Sequence, residues 1–355
     1  MSMLLLGVGG AAAGVPALTL TATTTGAAET VTIHRMTPAT GKSLTIDWGD
    51  GNSTVVAAGV TAAQANTYAS AGTYNVRVTN ALDIVQINLQ DAKLSGLKSA
   101  ELAGAAITYF VCYSITNTTP GRFDSADVSA WTPTTFQMHS MPSGYAGTFD
   151  SADVSAWGPS SFNLSAMPTG YAGTFDSADV SAWNPGTFIL YSMPAGYAGT
   201  FNSADVSAWN PGTFYLYSMP AGYAGTFNSA DVSAWNPVTF SLNTMPVATF
   251  TIGITDNYSG WAGCNSFLMQ DNGLLQADVD TILWSLYQAS LSRVATGGTI
   301  NLGGSNAAPS GTYQAAAVPP VSAATPGKEV AHELQYDGCD AIAAGKTWTT
   351  VTITA

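Results

Sequence analysis

Charge is what this sequence has least of. Only 9% of its 355 residues are Asp, Glu, Lys or Arg, and Lys plus Arg number 9. Against 22 acidic residues this leaves a formal net charge of −13. A chain so poor in cations has no basic stripe for nucleic acid. It also lacks the polybasic clusters that hold proteins to anionic membranes. Histidine is scarce: His34, His139 and His332 lie in three different segments, and no pair suggests a metal site. The three cysteines, Cys112, Cys264 and Cys339, are odd in number and widely spaced. That excludes a disulfide framework and a zinc site built on cysteine pairs. Long apolar runs are missing as well, since Met3–Val8 is too short to span a bilayer.

Catalytic signatures are equally absent. His332-Glu333 has no second histidine at the spacing that metal hydrolases of that type need. No G-x-S-x-G elbow and no phosphate-binding glycine loop appear. Gly7-Val-Gly-Gly lacks a strand–helix frame and is no dinucleotide fingerprint. These absences argue for a non-enzymatic protein with no cofactor and no metal.

What is present is repetition. Trp131, Trp157, Trp183, Trp209 and Trp235 stand 26 residues apart, and nearly the same phrase returns between them. A fixed period in this range means one supersecondary unit stacked on itself, a solenoid. Within the unit, Phe136-x-Met138 and its equivalents alternate, which predicts a short strand with one face inward. Phe162, Phe188, Phe214 and Phe240 continue that column, and Leu164, Leu190, Leu216 and Leu242 follow two residues later. Met141, Met167, Met193, Met219 and Met245 close the strand, each before a proline that turns the chain. A glycine-flanked turn around Tyr145, Tyr171, Tyr197 and Tyr223 comes next. A single helical turn follows, with Asp124, Asp150 and Asp176, then Asn202 and Asn228, as N-caps and Asp127, Asp153, Asp179, Asp205 and Asp231 closing capping boxes. A calcium-binding column is the sharper reading of these aspartates, and capping the preferred one. The frame extends back to Phe110 and to Ile84–Leu89, and forward to Trp261.

The unit Phe214-x-Leu216-x-x-Met219, then Tyr223-x-Gly225-x-Phe227, resembles a leucine-rich repeat with methionine in the slot of the family's asparagine. The resemblance implies a curved solenoid, and a parallel β-helix is the alternative. Upstream, Trp48-Gly-Asp-Gly51 and Tyr68-Ala-Ser-Ala-Gly-Thr-Tyr74 resemble the PKD-type immunoglobulin-like domain, with Asn66 where that family usually has histidine. Its members are mostly spacers or adhesion modules on cell and phage surfaces. Downstream, the apolar face Val279, Ile282, Leu283, Leu286 and Leu291 predicts a helix over 276–294, and a second is expected within 329–344. With Asn306 in the leucine-rich asparagine slot and a final strand over 348–354, this segment resembles the C-terminal part of phage-encoded leucine-rich proteins.

The chain is therefore expected to be mainly β, in four parts. Residues 1–25 form an apolar arm that inserts into a neighbouring subunit, with a disordered terminus as the alternative. Residues 26–82 form a PKD-type, immunoglobulin-like β-sandwich. Residues 83–250 form the leucine-rich-like solenoid of 26-residue repeats, and 251–355 hold diverged repeats and a helix-containing C-terminal cap. On the outward strand face the residues vary between coils that are otherwise nearly identical. Tyr191, Tyr215 and Tyr217 are expected to cluster there, with Tyr113 and His139 nearer the N-terminal end, and aromatic rings with polar tips suit protein interfaces and sugar faces.

The resemblances and this face together imply a phage virion protein, a tail fibre or tail-tip adhesin that binds a host-surface protein or polysaccharide. It would be held to other virion proteins by its arm, located on the virion surface, and homo-oligomeric, with no nucleic-acid partner and no membrane insertion. A capsid decoration or other purely structural virion protein is one alternative, and a bacterial surface adhesin another.

Overall fold

The computed structural model of the protein describes residues 16–116, 118–255, 258–293, 296–312, 325–335 and 347–354. Within them the chain is mostly strand. The first strand, Ala17–Thr24, alternates Leu18, Leu20 and Ala22 inward and pairs antiparallel with Gly72–Thr79 along its whole length. Ser53–Ala57, Ser43–Asp47 and the short Leu94–Ser95 complete a five-stranded sheet. Glu29–Ile33 and Gln64–Tyr68 form a two-stranded ribbon, and its Val31, Ile33 and Tyr68 share the core with Leu44, Ile46, Trp48 and Val78. The tip of this unit is tied by side chains. The Tyr68 hydroxyl donates to the Trp48 carbonyl at 2.9 Å, and Asn66 Nδ2 donates to Asp50 Oδ2 at 2.8 Å.

Residues 1–15 of the expected arm lie outside the described residues. Residues 17–24 are not an arm: they are a core strand, because their alternation finds a partner in Gly72–Thr79. Nor is the first unit a detached spacer. Its strand Arg35–Pro38 pairs antiparallel with Ile84–Leu89 and closes one end of the solenoid sheet. In return, Leu94–Ser95 of the first coil pairs with Ala17–Thr24. Thr19 N–H donates to Glu101 Oε2 and Thr32 N–H to Asp91 Oδ2, both at 2.6 Å. One continuous apolar core runs through both parts.

The solenoid is an 11-stranded sheet that is parallel beyond the Arg35–Pro38 edge. Its register sets Phe110, Phe136, Phe162, Phe188, Phe214, Phe240 and Phe267 side by side. Successive rings stack with centroids 5.4–5.7 Å apart. Each indole packs on the Phe of the coil before it, as Trp183 does on Phe162 at 5.3 Å. Trp131, Trp157, Trp183, Trp209 and Trp235 are all buried, at 1–3% exposure. No coil could bury such a set alone, so the rungs depend on one another.

The chain leaves each strand through a residue in the left-handed region. Ser140, Ala166, Ser192, Ser218 and Thr244 all have φ near 50°, between 49° and 51°. Such a conformation costs a non-glycine residue about 1–2 kcal/mol. The N–H groups offset part of that by reaching the next coil, as Ser192 N–H does at the Tyr217 carbonyl. The bend therefore precedes the Met-Pro pair rather than being made by the proline.

The expected turn ends at Tyr145 and its equivalents, whose N–H donates to the proline carbonyl three residues back, and the chain then enters a second, six-stranded sheet. It runs through Ala146–Thr148, Tyr171–Thr174, Tyr197–Asn202 and Tyr223–Asn228. The tyrosines point into the core with 0–1% exposure. Glycine is required here. A Cβ on Gly173 would stand 2.2 Å from the Phe149 carbonyl oxygen, and φ is +132°. Gly147, Gly199 and Gly225 meet the preceding coil in the same way.

Single 3-10 turns, Ser125–Val128, Ser151–Val154 and Ser203–Val206, follow this sheet. Their N-cap residues make no side-chain capping bond. In these turns the expected capping boxes are replaced by bonds between coils, while Asn228 does cap its own turn, its Oδ1 accepting the Ala230 N–H at 3.0 Å. Asp153 Oδ2 accepts the Ser125 hydroxyl at 2.5 Å, and Ser125 Oγ accepts the Asp150 N–H at 2.9 Å. The same relay joins Ser99 to Asp127, Ser151 to Asp179, Ser177 to Asp205 and Ser203 to Asp231.

At the C-terminal end, Ser266–Leu268, Thr299–Asn301 and Thr350–Thr352 continue the large sheet. Helix α1, Gln276–Ser290, covers the core with Val279, Ile282, Leu283 and Leu286, and helix α2, Gly327–Gln335, packs on it. Residues 336–346 of the expected second helix and its stop lie outside the described residues. In the last coils the methionine column gives way to asparagine. Asn272 Nδ2 donates to the Leu242 and Met269 carbonyls, and Asn306 Nδ2 to those of Met269 and Leu302. Arg293 pins the cap, lying 3.8 Å over the Trp348 ring and donating to Asn265 Oδ1 at 3.0 Å.

Candidate functional site

The large sheet turns one face to the core and one outward. On the outward face the parallel register lines up side chains into columns, about 4.8 Å per rung. One column reads Gln90, Tyr113, His139, Ser165, Tyr191, Tyr217 and Asn243, and the one beside it Asn88, Val111, Gln137, Asn163, Ile189, Tyr215 and Ser241. From Tyr109–Tyr113 to Thr239–Ser241 no outward position carries Asp, Glu, Lys or Arg.

The five residues singled out from the sequence lie on this one face but in two groups. Tyr113 and His139 stack at 4.3 Å, and the Tyr113 hydroxyl donates to Gln90 Oε1 at 2.7 Å. Half-burial of the imidazole lowers the His139 pKa and favours its neutral form. Two rungs further, Tyr191 and Tyr217 stack at 4.4 Å with planes only 8° apart. Tyr215 meets Tyr217 edge-on, 6.0 Å away and turned by 66°. Burial, then the neighbouring Tyr191, pushes the Tyr217 hydroxyl up to about 12.

Between the groups lie Asn163 and the fully buried Ser165, whose hydroxyl donates to Asn163 Oδ1 at 2.7 Å. The face is thus two aromatic brackets joined by an amide-bearing rung. A residue missed from the sequence is Arg35. The first unit places its guanidinium 4.6 Å from the centre of the Tyr109 ring, at the N-terminal end of the same face. Nothing local marks Arg35, because the contact depends on strand Arg35–Pro38 joining the solenoid sheet.

The other chemical groups are committed to structure. Each aspartate of the inter-coil relay holds a serine hydroxyl. Among the described residues no three His, Cys, Asp or Glu side chains gather as a metal site requires. Cys112 sits in an inward slot and burial pushes its thiol up, while Cys264 is buried and pushed up to about 12; Cys339 lies outside the described residues. No described helix is long and apolar enough to cross a membrane. Comparison with family models, with curated proteins and with solved structures finds no match to the chain.

Proposed function

We propose that this chain is a non-enzymatic phage virion surface protein, a tail fibre or tail-tip adhesin that binds a host-surface receptor through the outward face of its large sheet. The observation that carries the reading is a contrast within the repeats. Inward columns of Phe, Leu, Tyr and Trp hardly change from coil to coil. The outward columns change at nearly every rung and bring Tyr191, Tyr215 and Tyr217 together. A rigid scaffold with one varied, aromatic-rich face suits recognition of a partner.

We read the first unit as PKD-type, supported by the Asp50–Asn66 and Tyr68–Trp48 bonds, with asparagine doing what histidine does in that family. The solenoid we read as leucine-rich-like, supported by the return of asparagine at Asn272 and Asn306. Its place would be the virion surface, with other virion proteins holding residues 1–15 and several copies per particle.

Two experiments test this. Antibody raised against the purified protein, imaged on the particles whose genome encodes it, should label the tail or its tip. Label confined to the capsid would favour a decoration protein, and unlabelled particles would end the virion reading. Separately, replacing Tyr191, Tyr215 and Tyr217 with Ala should weaken binding of the labelled protein to host envelopes at least tenfold, with melting unchanged. Equal binding by the triple variant removes the recognition claim.

A further inference from the structure

We infer that the ligand of this face is an uncharged polysaccharide lying across the strands, with the Gln137–Asn163 rungs as its hydrogen-bonding centre and the two aromatic groups as its ends. The inference rests on the receptor-binding reading and narrows it to one chemical class.

The first argument is charge. The protein carries −13 overall, yet the outward face between Tyr109 and Ser241 has no ionised side chain, and His139 is biased toward its neutral form. An anionic polymer would meet an acidic body with only Arg35, at the N-terminal end of the face and already over the Tyr109 ring, to pair its charges. A cationic one would find no carboxylate there.

The second argument is composition. Apart from the buried Val111, Ile189 is the one aliphatic side chain among these outward positions. The rest are amides, hydroxyls and rings. A protein partner is expected to meet an apolar, well-packed centre. Here the centre is Gln137 and Asn163, with the buried Ser165 beneath them.

The third argument is unused hydrogen-bonding capacity. Asn163 Oδ1 is taken by the Ser165 hydroxyl, while no described protein group accepts the Asn163 amide N–H. Gln137 Nε2 makes only a long bond, 3.4 Å, to Ser161 Oγ. Sugar hydroxyls both donate and accept, so they suit free amides of this kind.

The aromatic geometry sets how the chain would lie. Tyr191 and Tyr217 are face to face at 4.4 Å, so no sugar ring enters between them. They offer edges and phenolic oxygens, while Tyr215, turned 66° from Tyr217, breaks the stack. From Tyr113 to Tyr217 is four rungs, about 19 Å along the sheet. An extended chain of several pyranose units covers that distance, with its repeat close to the rung spacing.

The test is direct binding of the full chain to immobilised dextran, mannan and galactan as neutral probes, with alginate and polygalacturonate as anionic ones. At least one neutral probe should bind, and raising the salt should change affinity little. Asn163→Asp keeps the acceptor that Ser165 needs and removes the amide donor. It should cost about tenfold in affinity, the equivalent of one neutral hydrogen bond, with melting unchanged. Should that variant fold poorly, Gln137→Ala reads the same centre. Preference for the anionic probes, or binding that collapses with salt, overturns the inference, as does full affinity in both variants. If no polysaccharide binds while host envelopes still bind in a Tyr191-, Tyr215- and Tyr217-dependent way, the ligand is a protein and only this inference falls. If neither binds, the receptor-binding reading falls with it.

Discussion

Replacing Tyr171 with Phe should stabilise the protein. Tyr145, Tyr171, Tyr197 and Tyr223 form a column inside the solenoid, and none of their hydroxyls has a hydrogen-bond partner among the described residues. Burial, above all, holds the Tyr171 hydroxyl well above its ordinary pKa, with neighbouring Tyr145 adding to it. Leaving a buried hydroxyl unpaired costs about 1–3 kcal/mol. Phenylalanine keeps the ring and its contacts and removes that cost. Even with partial relaxation, Tyr171→Phe should gain about 1 kcal/mol in urea or guanidinium unfolding, read from the midpoint at unchanged slope. The quadruple Phe variant should gain more, though not four times as much, because adjacent rungs couple. The single and quadruple variants should rank in that order. Loss of about 1 kcal/mol on Tyr171→Phe would show that the hydroxyl is satisfied in solution and would refute the reasoning.

Other substitutions probe the stacking itself. Gly173→Ala puts a methyl group against the Phe149 carbonyl in a left-handed backbone conformation, and should destabilise by more than the 1–2 kcal/mol of conformational cost alone; an unchanged melting curve would contradict it. Trp183→Ala should cost about 3–5 kcal/mol, and a loss under about 1 kcal/mol would mean the indole is not core. At the tip of the first unit, burial alone would raise the Asp50 pKa, but the Asn66 and Asn52 bonds outweigh it and the net shift is downward. The folded state thus favours the carboxylate. Its contribution is present above the ordinary aspartate range and is lost as pH falls through the lowered folded value. Asn66→Ala should cost a few tenths of a kcal/mol at about pH 6, given the site's exposure, and the gap from wild type should shrink in urea melts toward about pH 3. A gap that widens in acid would reverse the sign.

Much of the solenoid was legible because its signals are periodic. Phe, Leu and Trp return at fixed spacing, and a period fixes an inward column without any need to know its partner. The misread features are those whose local pattern has two readings. Asp-x-x-Asp reads as a capping box along the chain. Here each serine bonds the aspartate 28 residues on, in the next coil, which local spacing cannot reveal. The glycine-flanked turn that ends at Tyr145 and its equivalents was legible, but the short parallel strand that follows each was not. The glycines are there so that one backbone can cross close to another. Ala17–Thr24 had the alternation of a strand, but its partner lies beyond most of the first unit, and its apolar neighbours drew it into an arm. On the outward face, the tyrosines were found because they vary against a constant background. Their separation into two groups was legible too, while the face-to-face stacking within each group needed the sheet.

The first strand has hydrogen-bonded neighbours on both sides, Gly72–Thr79 on one and Leu94–Ser95 on the other. Tension entering at the head of the chain therefore passes straight into the repeats, with no hinge in between. A grip on Ala17–Thr24 would therefore fix the orientation of the solenoid's outer flank as well.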